Sequence, residues 1–298
     1  MTSAPRKHQP RLAAGRARAL GLPTRGTTNP NRLRRMDNWI TAVLAPALRA
    51  ATGPPPPATP PAATPSSLGA PPSSSAGKPP LAVDLGYGVT PITAIELAAR
   101  LRRVRPDVRV LGLELDPARV AAAQFAADPP RLEFARGGFE LAGRRPALVR
   151  AANVLRQYDE PAARRAWDTL RGGLAPGGLI VEGTCDEIGR LAGWVLLDAS
   201  GPVSLTLACR VESLARPADL AERLPKALIH HNVPGEPIHA LLRDLDRAWD
   251  TAAPLTAFGP RQRWIAACAA VAGQWPVLTA ERARFGELTV PWSAVAPG

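Results

Sequence analysis

Cysteine is scarce in this chain. Cys185, Cys209 and Cys268 are an odd set with no short-spaced pair among 298 residues. That excludes a disulfide scaffold and a Cys-x-x-Cys motif, and it reads as reduced thiols in a cytoplasmic protein. Aromatic residues make up only 5%. No apolar run approaches the roughly 20 residues that cross a bilayer, so no membrane contact is expected. The Arg34-Arg35 pair before the apolar stretch 39–48 resembles a twin-arginine signal only superficially. Asp37, Asn38, Pro46 and Arg49 interrupt it, which favours an amphipathic helix. Acid is missing from residues 1–36, which hold nine basic residues. Elsewhere 28 basic residues face 25 acids, so the net charge of +12 sits mainly in a tail. Such a tail at 1–28 is expected to be disordered and solvated, and nucleic acid is the partner that residues 1–36 would meet.

What is present divides the chain into zones. Residues 29–52 read as one N-terminal helix, with Asn29 as its cap, Pro30 at its first position, and Leu33, Met36, Ile40, Val43 and Leu44 on one face. Residues 53–80 contain eleven prolines and read as a Pro-rich, extended linker. Residues 81–298 are the globular body, and its first half alternates strand with helix. Strands are expected at 81–85, 109–115, 131–135, 147–153 and from 179, with helices at 91–104, 117–127 and 161–171. This implies right-handed crossovers and a mostly parallel α/β sheet with helices on both faces. Strands at 193–198 and 203–209, separated by Ala-Ser-Gly-Pro, read as an antiparallel hairpin. Helices near 217–224, 236–250 and 259–273, and a short strand at 286–290, form a C-terminal elaboration.

The most informative segment is Val83-Asp84-Leu85-Gly86-Tyr87-Gly88-Val89-Thr90-Pro91. Glycines after a strand let the backbone turn tightly and approach a ligand. The following helix presents free N–H groups there. A dinucleotide fingerprint needs a third glycine where Pro91 stands, and no Gly-Lys-Ser/Thr follows, so a P-loop is excluded. Asp84 would oppose a pyrophosphate but favour a cationic ligand, such as an amino acid's ammonium group. Both points disfavour a nicotinamide-dependent oxidoreductase. On the second strand, Glu114 lies where a carboxylate can accept both hydroxyls of a ribose.

Three segments together resemble the class I (Rossmann-like) S-adenosylmethionine (SAM)-dependent methyltransferases: Asp84-Leu85-Gly86-Tyr87-Gly88, Leu111-Gly112-Leu113-Glu114-Leu115-Asp116-Pro117, and Leu174-Ala175-Pro176-Gly177-Gly178-Leu179. The resemblance covers about 81–184. It implies S-adenosyl-L-methionine as cofactor, with Asp84, Gly86, Tyr87 and Gly88 around its methionine part. Glu114 would take the ribose, Leu115 would pack on the adenine, and Asn153 would stand beside the sulfur. The acid that the family often carries near Gly138 is missing, which would leave the adenine to the backbone at Gly138 and Phe139. The segment 27–39 would supply a helix that closes over the cofactor.

Methyl transfer from a sulfonium needs alignment more than covalent help, and no catalytic residue is identified. No Asn/Asp-Pro-Pro-Tyr/Phe motif and no Pro-Cys pair mark a macromolecular acceptor. Asp186 and Glu187 are candidate bases or substrate contacts, or caps of a following helix. Cys185 is a candidate nucleophile, weighed against an inert thiol. His230, His231 and His239 cluster in and beside the segment 225–235, which reads as a polar loop with room for a base; too few ligands cluster there for a metal, and none is expected. With no acceptor motif and a balanced body, a small-molecule acceptor is favoured, while RNA and protein stay open. The alternative is a non-catalytic SAM-fold binding module recruited to nucleic acid by its basic tail.

Overall fold

A computed structural model describes residues 28–53 and 78–298. The expected disordered tail and nearly all of the Pro-rich linker lie outside the described residues. Eight strands form one sheet in the order β3-β2-β1-β4-β5-β6-β7-β8. They are β1 (Leu81–Leu85), β2 (Arg109–Glu114), β3 (Leu132–Arg136), β4 (Leu148–Ala152), β5 (Leu179–Cys185), β6 (Leu191–Leu197), β7 (Pro202–Cys209) and β8 (Glu287–Pro291). The first five run parallel, and β6, β7 and β8 are added by antiparallel pairing. The parallel strands are nearly continuous apolar runs because helices cover both faces of the sheet.

The helices are α1 (Arg34–Val43), α2 (Ala45–Ala50), α3 (Ile92–Leu101), α4 (Pro117–Ala123), α5 (Glu160–Gly172), α6 (Lys226–Ile229), α7 (Pro237–Thr251) and α8 (Pro260–Ala272). On one face, α1, α2 and α3 bury Met36, Trp39, Ile40, Leu48, Leu97 and Leu101 in one cluster with Trp194 of β6. On the other, α5, α7 and α8 bury Trp167, Leu241, Leu245 and Trp264 against β4, β5 and β7. Caps fix two of the starts. Asp116 accepts the Ala118 N–H at 2.8 Å, and Asp159 accepts the Ala162 N–H at 2.8 Å.

Several expectations need correction. Residues 29–52 are not one helix. The chain turns through 30–33, α1 starts at Arg34 with no side-chain cap, and it ends at Val43 ahead of a second short helix carrying Pro46 at its start. A proline cannot continue the ladder, which accounts for the break. Asn29 caps nothing; its side-chain amide donates instead to the Glu187 carbonyl at 2.9 Å. Nor do α1 and α2 stand apart from the body, since their apolar face is part of its core. The segment 225–235, expected to be a loop, contains α6. β5 extends to Cys185 and forms a hairpin with β6 that the polar run Thr184-Cys185-Asp186-Glu187 concealed. Asp186 therefore caps no helix; it accepts the Arg190 N–H at 2.7 Å across the hairpin turn.

Candidate functional site

Strand order reverses between β1 and β4, and an open α/β sheet offers its ligand crevice at the carboxyl ends of the strands flanking such a point. A cavity of about 1040 Å³ lies there, at the top of the roughly 300–1,000 Å³ range of single-ligand clefts. All nine residues singled out in the sequence line it: Asp84, Gly86, Tyr87, Gly88, Glu114, Leu115, Gly138, Phe139 and Asn153. They come from the ends of four strands, so only the parallel pairing brings them together.

The glycine turn is shaped for close approach. Gly86 and Gly88 have φ of 69° and 88°, a region that strains any residue with a Cβ. A Cβ on Gly88 would lie 2.7 Å from the Thr28 hydroxyl oxygen. That hydroxyl donates to the Tyr87 carbonyl at 3.4 Å and accepts the Val89 N–H at 3.2 Å, tying the N-terminal segment to the turn. Tyr87 reaches the cavity wall, but its ring is committed to packing. It meets Phe134 edge-on with centroids 5.4 Å apart, and burial pushes its phenol up to about 12.

The carboxylates differ in what they leave free. Glu114 is 5% exposed. Its Oε2 accepts the Gly88 N–H at 3.0 Å, its Oε1 accepts the Leu115 N–H at 2.9 Å, and Arg119 stands 3.6 Å away. The Asp116 N–H lies 3.5 Å from Oε1 as well, so of about four lone-pair sites on a carboxylate roughly one remains. Asp84 is 2% exposed, and both its oxygens are engaged. Oδ1 accepts from Arg150 Nε at 3.1 Å, and Oδ2 accepts from the Thr93 hydroxyl and lies 2.8 Å from Arg150 Nη2. Arg150 also donates to Asp37 of α1. Burial opposes the Arg150 charge, but Asp37 and Asp84 outweigh that and raise its pKa. The Asp84 charge is thus answered inside the protein rather than held free for a cationic ligand.

Asn153 adopts φ of 61° just past β4, a left-handed conformation that asparagine tolerates better than most residues. Its side chain bridges to β5, accepting the Cys185 N–H at 3.0 Å and donating to the Cys185 sulfur at 3.3 Å. Cys185 is buried beside the cavity and its thiol is engaged by this amide. Asp186 and Glu187 line the same end. His230, His231 and His239 do not. His231 lies 3.1 Å from Glu160, and His239 lies 3.2 Å from Asn232. Among the described residues, no group of three or more His, Cys, Asp or Glu side chains is arranged for a metal.

Several lining residues escaped the sequence reading. Glu140 supplies an acid two positions after Gly138, with its Oε1 accepting the Gly138 N–H at 2.7 Å. The spacing Gly138-Phe139-Glu140 was its only signal. Thr28, Arg32 and Leu33 close one side of the cavity. They lie in the segment 27–39 but ahead of α1, so a turn and not the expected helix carries them. Arg32 Nε donates to the Asp186 carbonyl at 3.2 Å. A Cβ on Gly189 would sit 2.2 Å from the Arg32 carbonyl oxygen, so only glycine allows this packing. Arg156 and Arg223 also line the cavity; nothing in their sequence surroundings marks Arg223.

No family model matches the chain, and no curated protein does. Solved structures with similar segments include human N-acetylserotonin methyltransferase in complex with SAM, at 25% identity over 37% of this chain and 32% of that one, TM-score 0.29. They include CalO1, a methyltransferase of calicheamicin biosynthesis in its S-adenosylhomocysteine (SAH)-bound form, at 14% identity over 37% and 32%, TM-score 0.29. A structure described as a pericyclic reaction enzyme matches at 21% identity over 36% and 27%, TM-score 0.28. The chain spans about a third of the length of each. The parallel order β3-β2-β1-β4-β5 is that of an open, doubly wound α/β sheet, extended here by three antiparallel strands. A fold does not by itself select a reaction.

Proposed function

We propose that this chain binds S-adenosyl-L-methionine and transfers its methyl group to a small-molecule acceptor. The observation that carries the reading is the convergence of four strand ends, the glycine turn and Glu114 on one cavity at the switch point. The donor set fits the cofactor. Glu114 keeps acceptor capacity for a ribose hydroxyl, Leu115 and Phe139 offer apolar surface, and the positive φ of Gly86 and Gly88 keeps side chains out of the turn. When bound, the cofactor supplies a methyl group already activated on a sulfonium.

The chain's own contribution is binding and alignment. Glu114 and the Gly86–Gly88 turn hold one end of the ligand, and Asn153, braced on Cys185, orders the wall between β4 and β5. Thr28 and Leu33 exclude water from one side. Asp186 and Glu187, at the end of β5, stand where an acceptor's proton can be taken up. No observation on the described residues favours the alternative of a nucleic-acid-recruited binding module.

Calorimetric titration with SAM and, separately, SAH tests the reading. Micromolar binding is expected. Glu114→Gln should weaken it by about tenfold or more, the scale of a hydrogen bond to a charged group, with an unchanged circular dichroism spectrum. No binding of either ligand to a folded sample would overturn the proposal.

A further inference from the structure

The cavity is also lined by residues outside the nine cofactor candidates, among them the apolar Leu33, Ile188 and Tyr158. Their charges are uneven: Arg32, Arg119, Arg156, Arg190 and Arg223 against Glu140, Asp186 and Glu187.

Two of these arginines lack the partners that such groups normally have. The Arg223 backbone is pinned by the Thr184 hydroxyl, which donates to its carbonyl at 2.6 Å. Its Nε is buried with no hydrogen-bond partner among the described residues. Its one acidic neighbour, Glu222, lies 3.4 Å from Nη2 and is 71% exposed, so solvent screens the pair. Arg156 follows β4 in a short turn and lies at the rim of the cavity. It has no hydrogen bond or ion pair among the described residues. Burial, and then repulsion from Arg223, lower its pKa, and both side chains line the same cavity. The buried Nε of Arg223 leaves that guanidinium with donor capacity unused. A guanidinium pair is suited to an oxyanion, which it can grip with several charge-assisted hydrogen bonds.

We propose that the cavity binds, beside Arg156 and Arg223, the oxyanion of a small, apolar-bodied molecule, with these two arginines as its ligands. This deepens the methyltransferase reading by naming the acceptor class, and rests on that reading for the assignment of Glu114 and the glycine turn to the cofactor. A carboxylate and a phosphate monoester share the required chemistry.

The test titrates benzoate, phenyl phosphate and the neutral benzamide into SAH-saturated protein at constant ionic strength. Parallel titrations use Arg156→Gln and the Arg156→Gln/Arg223→Gln pair. Either anion should bind in preference to benzamide, and whichever binds tighter names the source. Anion affinity should fall by about tenfold or more in the double variant, while SAH affinity stays within about twofold. Benzamide binding as well as the anions, or variants that bind the anions normally, would overturn the inference. Arg156→Gln, at the rim, serves as the single variant should the pair fail to fold. If SAH does not bind at all, the cofactor reading fails separately. The same anion series on the protein alone then decides this one, with loss in the variants supporting it and no anion preference overturning it.

Discussion

Glu182 sits on β5, wholly buried. Trp167 Nε1 donates to its Oε2 at 3.2 Å, while Oε1 has no partner among the described residues. Burial pushes its carboxyl from 4.5 up to about 8, with the Trp167 bond pulling weakly the other way. The folded protein therefore keeps this proton through a range where the unfolded chain has released it. The stability tied to the proton is complete below pH 4.5 and is lost as pH rises toward 8, at up to roughly 1.4 kcal/mol per pH unit. Melting curves between pH 5 and 8 should show this decline, and Glu182→Gln should flatten it. An equally steep decline in the variant would remove Glu182 as the cause. At this scale the sequence located glycines and carboxylates but not their states. Asp84 and Glu114 both read as ligands, yet Asp84 is engaged by Arg150, whose strand follows 66 residues later. Glu140 was overlooked because its carboxylate folds back on a backbone N–H, a contact that depends on the shape of the turn.

The element that depends most on charge is α1. Asp37 on α1 and Asp84 on β1 are joined through Arg150 on β4, and Arg100 of α3 donates to Asp37 at 2.7 Å. Breaking a buried ion pair by removing one partner typically costs about 3–5 kcal/mol, because the other charge is left uncompensated. Arg150→Met leaves the buried Asp84 without a counter-charge and Asp37 with Arg100 alone. It should lower the melting temperature by about 10 °C and make the chain near α1 easier to cleave by a protease. An unchanged melting point would show that apolar packing alone docks the helix. The amphipathic face of α1 was legible, since Met36 and Ile40 recur at helical spacing. The break at Leu44 follows from Pro46, a local signal the sequence reading underweighted. The β5–β6 hairpin was hidden because its polar turn is stabilised by contacts with Arg32 and Arg35 from α1's side of the molecule.

For the whole molecule, the Pro-rich segment matters through its ends. The Gly53 N–H donates to the Lys78 carbonyl at 2.6 Å, so the chain leaves and rejoins the body at one place. The two residues that flank 54–77 are thus neighbours. Replacing them with about four Gly and Ser residues should preserve SAH binding. By loop-closure entropy it should also stabilise the fold by about 1–2 kcal/mol, read as a small rise in melting temperature. Loss of the folded state in this variant would show that the segment packs on the body.

By itself, the sequence determined the order and type of the elements through β5, because strand and helix periodicity and turn residues are local properties. It also determined which residue types gather at the strand ends, because the motifs mark those ends directly. The tertiary structure alone decided that β6 pairs with β5, that Asp84 is neutralised and that α1 belongs to the core. It also brought Arg156 and Arg223 to the lining of one cavity. Each of these depends on groups distant in sequence meeting across the sheet, where burial, not spacing, sets the energy.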